Sequence, residues 1–141
     1  MLQRTLLLAA VVASQTACRA IAQPTSNLRS NYRNVEIAPF TQRYDLEPGN
    51  LNEIAAQLLE SGDSAEGRQQ ETIKIDYPGI DRDYAIIEHT QIGLPDDSVG
   101  SIRYRIELQP SPNGWAIEWV GAQYQCRRGG NPNRWTSRLC P

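Results

Sequence analysis

Apolar side chains recur along this chain at two different spacings. Over Leu51–Glu60, the residues Leu51, Ile54, Ala55, Leu58 and Leu59 fall at i, i+3, i+4, i+7 and i+8, the stripe of a helix with one buried face. Asn50 is placed as its N-cap, Glu53 as the capping-box partner, and Gly62 where the helix should stop. Beyond Gln70 the period drops to two. Thr72–Tyr77 puts Ile73, Ile75 and Tyr77 on one face and Lys74 and Asp76 on the other, and Tyr84–Leu94 is a longer run holding Ile86, Ile87 and Ile92. In Ile102–Gln109, Ile102, Tyr104, Ile106 and Leu108 alternate with Arg103, Arg105, Glu107 and Gln109. Asn113-Gly114 is a strong hairpin signal, so Trp115–Tyr124 returns as the next strand. Gly121 inside it predicts a bulge or a close backbone approach.

Turn residues fill the gaps at Pro78–Asp83 and Gly93–Ser101, and Ser61–Gln70 reads as a polar loop. Val35–Phe40 is expected as a short edge strand ended by Pro39, and Gln23–Asn34, rich in Asn, Ser and Arg, as a flexible linker. Short links between successive strands favour a meander. The expected fold is therefore α+β: one amphipathic helix packed on an antiparallel sheet of about four strands, with a disulfide-closed C-terminal loop. Residues 35–141 make a single domain after a 1–22 leader and the 23–34 linker, long enough for one core.

The leader has its own pattern. Arg4 precedes an apolar run from Leu6 to Ala13, well short of the ~20 residues that span a bilayer. A positive start, a short apolar run and small residues after it describe a secretory signal. Two processing sites compete. Ala20-Ile21-Ala22 suits a cut that leaves Gln23 first, whereas a cut before Cys18 would leave a lipid-modified cysteine, although Gln15 stands where an aliphatic residue is usual. The expected location is the periplasm, cell envelope or exterior, with the membrane touched only through a signal or lipid anchor.

Cysteine and charge sharpen the picture. Cys18, Cys126 and Cys140 are the only three cysteines, and an oxidising compartment would join the last two across 13 residues. A two-cysteine metal site would need more ligands, and the single histidine, His89, is remote in sequence. From Gln23 to Glu118 lie 8 basic residues and all 16 acids, net −8. From Trp119 to Pro141 lie four arginines and no acid, net +4. An acidic body thus carries a basic, bridged tail.

Trp115, Trp119-Val120-Gly121, Gln123, Cys126-Arg127, Gly129, Trp135 and Cys140 together resemble the ending of a group of small, uncharacterised exported bacterial proteins, many of them cyanobacterial. Asp96-Asp97-Ser98-Val99 leading into Arg103-Tyr104-Arg105 is similar to the same group. The likeness covers about the last third of the chain. It implies an envelope or secreted location and a bridged tail, and no activity.

The bridged loop is the main candidate for chemistry. Arg127, Arg128, Arg134 and Arg138 offer charge-assisted bonds to carboxylate, sulfate or phosphate. Gly129-Gly130 leaves amides able to converge on an anion, and Trp135 can stack on a sugar ring or on an arginine. The expected partner is an acidic polysaccharide, a lipid headgroup or an acidic protein. Alternatively the same residues turn inward, the arginines pairing with the surplus acids and Trp135 closing the core. A second, enzymatic reading uses His89 with Asp96, Asp97 or Ser98 as a small hydrolase, against a plain strand histidine and a plain turn. No catalytic residue, metal or cofactor is expected from the main reading. Nucleic acid is an unsuitable partner for an acidic chain, and no Gly-rich phosphate loop joins a strand to a helix.

Overall fold

The computed structural model of the protein describes residues 26–60 and 69–141. In chain order these form α1 (Ser26–Arg29), β1 (Arg33–Val35), α2 (Ile37–Tyr44), α3 (Leu51–Glu60), β2 (Gln70–Asp76), β3 (Ala85–Ile92), β4 (Val99–Ser111) and β5 (Gly114–Cys126). The five strands make one antiparallel sheet in the order β1-β5-β4-β3-β2, an α+β fold with a β2-to-β5 meander. The expected leader with Cys18 and Gln23, and the helix stop at Gly62, lie outside the described residues.

Helix α3 forms where its stripe places it. The Asn50 side-chain oxygen accepts the amides of Asn52 and Glu53, both at 3.0 Å, and Glu53 accepts the Asn50 amide at 2.9 Å, a complete capping box. Leu51, Ile54, Ala55 and Leu58 are buried, while Leu59 stays exposed.

Two expectations for the N-terminal part need correction. Val35–Phe40 is not one strand: β1 ends at Val35, and Ile37 opens a second helix. Pro39 is the third residue of α2, where no amide has an intrahelical acceptor, so its missing N–H costs nothing. Phe40 and Tyr44, four apart, supply the buried face, and Asp45 ends the helix at φ 50°. The stretch 23–34 is also more than a linker. From Ser26 it holds α1 and most of β1, which pairs Arg33, Asn34 and Val35 with Ala122, Gly121 and Val120. Arg29 donates to Glu107 and the Asn31 carbonyl accepts from Gln123, contacts that composition alone does not reveal.

One sheet face carries the core. Ala85 and Ile87 of β3, the inward residues of β4, and Val120 and Ala122 of β5 pack against Phe40, Tyr44, Leu51, Ile54 and Leu58. Complete burial of a Leu, Ile, Val or Phe side chain stabilises by about 1.5–3 kcal/mol. The other face bears Arg103, Arg105 and Glu107 of β4 beside Gly121 and Gln123 of β5. It is covered by the segment from Arg29 to Tyr32 and by the C-terminal tail.

The register shifts at Val99/Ser101 and at Glu107/Leu108, where Glu118 is the extra residue. Gly121 marks a close approach instead: a Cβ there would lie 2.1 Å from the Trp119 ring and 2.7 Å from the Tyr32 Cβ. The outer edge of β5 is met at three places. Trp115 donates to Gly49 at 2.9 Å, β1 pairs with Val120–Ala122, and Tyr124 exchanges both backbone bonds with Thr136 at 2.8 and 2.9 Å. Cys126 and Cys140 form a disulfide with Cα atoms 5.3 Å apart, which closes the tail into a loop.

Candidate functional site

Where β5 ends, the bridged tail turns back along the sheet edge and faces the segment that follows α1. Between them lies an open cleft of about 710 Å³. Ser30 and Asn31 form one wall; Gln123, Trp135 and Thr136 lie along the sheet side. The loop from Arg128 to Asn131 and the end from Ser137 to Leu139, with Pro141, complete it.

A chain of contacts fixes the Trp135 side. The Gln123 side chain donates to the Asn31 carbonyl at 2.9 Å and accepts two bonds from Arg103 at 2.5 and 3.2 Å. Arg103 in turn stacks on the Trp135 ring, 4.4 Å from its centroid. The indole is half-buried, with one side backed by a guanidinium that is itself hydrogen-bonded. Nearby, buried Glu107 accepts bonds from Arg29 and Arg105, each at 2.8 Å, and Arg29 also lies over Trp119. Burial pushes the Glu107 carboxyl up, yet the bonds from Arg29, with Tyr84 and Arg105 beside it, outweigh burial and hold it below its ordinary value. The same bond with Glu107 raises Arg29. This ion cluster ties the N-terminal wall to the sheet.

The arginines of the tail divide. Arg127 turns away from the cleft and donates to the carbonyls of Asp96 and Leu94, both at 2.7 Å, so it clamps the turn before β4. Arg128, Arg134 and Arg138 all line the cleft and are exposed. Their guanidinium groups make no hydrogen bond or ion pair among the described residues. The loop backbone is shaped by Gly129 at φ 81° and Gly130 at φ 146°, conformations that an L side chain rarely adopts.

The residues of the enzymatic alternative are not brought together. His89 points into the core face, fully buried, with Nε2 2.6 Å from Glu71 Oε1 and its ring edge-on to Tyr44. Gln91 donates to the same Glu71 oxygen at 3.0 Å. Asp96 lies in an exposed turn and accepts the amides of Val99 at 2.6 Å and Ser98 at 2.8 Å, which lower its carboxyl below the ordinary value. Asp97 is exposed beside it. Among the described residues no cluster of three His, Cys, Asp or Glu side chains is arranged to hold a metal.

Sequence reasoning missed Glu71 and the Asn31, Arg103 and Gln123 contributions to the cleft. Glu71 was findable: extending the Ile73, Ile75 alternation back by one step puts it on the core face. No family model, curated protein or solved structure matches the chain.

Proposed function

We propose that the protein is an exported, non-catalytic binding module whose basic cleft holds an anionic group of an envelope or extracellular partner. One observation carries this reading. Arg128, Arg134 and Arg138 line a single cleft, yet none pairs with an acid among the described residues. Had these cations served only to neutralise an acidic body, they would sit against carboxylates as Arg29 and Arg105 do at Glu107. Unpaired guanidinium groups gathered in a concavity suit a carboxylate, sulfate or phosphate. The disulfide is compatible with export.

The test is retention of the oxidised protein on anionic envelope material across a salt series. Retention should weaken as salt rises, because exposed charges are screened. It should be lost when Arg128, Arg134 and Arg138 are all changed to alanine. A control that removes Arg33, Lys74 and Arg82, three exposed cations away from the cleft, should leave it in place. Equal loss in the two triple variants would reduce the effect to net charge and overturn the reading.

A further inference from the structure

We infer that the ligand of the basic cleft is an acidic polysaccharide, a chain of uronate or sulfated sugars, with a sugar ring set against Trp135. This rests on the proposal that the cleft binds an anion, and deepens it. Three features select the ligand class. The first is shape: a recess of about 710 Å³ falls within the range of about 300–1,000 Å³ typical of sites that enclose small ligands. A lipid bilayer is met by a protruding apolar surface, and among the described residues that line the cleft the one exposed large apolar side chain is Leu139, 60% exposed.

The second feature is the indole. Carboxylates of a protein partner need only the arginines, whereas a flat ring in the same recess offers a surface for the C–H face of a sugar. The Gln123–Arg103–Trp135 stack holds that plate before any ligand arrives, so little ordering cost remains at binding. The third is the neutral lining. The Asn31 side-chain amide, the Asn131 amide nitrogen and the Ser137 hydroxyl make no bond among the described residues. Amides and hydroxyls that both donate and accept match sugar hydroxyls, which an isolated phosphate lacks. Three guanidinium groups spread along the loop then suit a polymer that repeats its charge ring after ring.

The experiment titrates the oxidised protein with four probes while following the Trp135 indole N–H by NMR. They are a short oligogalacturonate, its methyl ester, polyglutamate of matched charge, and phosphatidylglycerol vesicles. The oligogalacturonate should bind and shift the indole resonance, and the other three should bind at least about tenfold more weakly. Trp135→Ala should weaken oligogalacturonate binding about tenfold. Where that variant does not fold, Arg128→Ala, on an exposed loop outside the core, should weaken the same titration. Polyglutamate or vesicles binding as well as the sugar, or an unmoved indole, would overturn the glycan assignment and leave the anion site standing. Binding of none of the three anionic probes would overturn both.

Discussion

Glu107 has no exposed surface, and its two guanidinium partners come from α1 and from its own strand. Removing one member of a buried ion pair leaves the other uncompensated, so Glu107→Gln should destabilise the protein at neutral pH by about 3 kcal/mol, read from urea unfolding. The pH dependence has a definite sign. The folded carboxyl lies below its ordinary value of 4.5, so its stabilisation is complete above that value and is lost as pH falls through the lower, folded one. The gap between wild type and Glu107→Gln should therefore narrow below pH 4.5 and be constant above about pH 6. Gly121 is constrained by space instead. A methyl group there meets the Trp119 ring and the Tyr32 Cβ, and Gly121→Ala should cost about 1–3 kcal/mol with a loss of near-UV tryptophan circular dichroism.

At the scale of elements, α3 was legible because three independent signals agreed: stripe, cap and capping-box partner all point to one start. Asn50→Ala, which leaves two first-turn amides without their acceptor, should lower stability by about 1 kcal/mol in thermal unfolding. Helix α2 was not legible, because its apolar residues Ile37, Phe40 and Tyr44 are few and Pro39 reads as a strand terminator unless its position in the first turn is known. The four strands of the meander were visible from period-two alternation with short turns. Strand β1 was hidden because three residues carry too little pattern, and its place is set by pairing with β5, over 80 residues away.

On the scale of the whole molecule, the segment from Arg29 to Tyr32 and the C-terminal tail lie on the same sheet face, and the cleft lies between them. The charged half of this site was readable, since Arg128, Arg134, Arg138 and Trp135 sit in one acid-free stretch. The half supplied by Asn31, Arg103 and Gln123 was not, because the β4–β5 register sets Arg103 beside Gln123 and a contact across 92 residues brings Asn31 to them. Closing so short a loop stabilises by about 3 kcal/mol in the chain-entropy model. Changing Cys126 and Cys140 together to serine should cost about that much and abolish retention on anionic material, while far-UV circular dichroism stays that of the intact sheet.

Strand β5 runs for 13 residues, and its outer backbone is occupied by three separate pieces of the chain. Those pieces do more than complete the sheet edge. They withhold a ready template from other copies of the protein, since a long, unpaired strand invites edge-to-edge association. A form lacking the residues up to Val35 should sediment as concentration-dependent oligomers. Arg29→Ala, which breaks the ion cluster but keeps β1, should not, so the backbone of three modest residues guards the molecule against self-assembly.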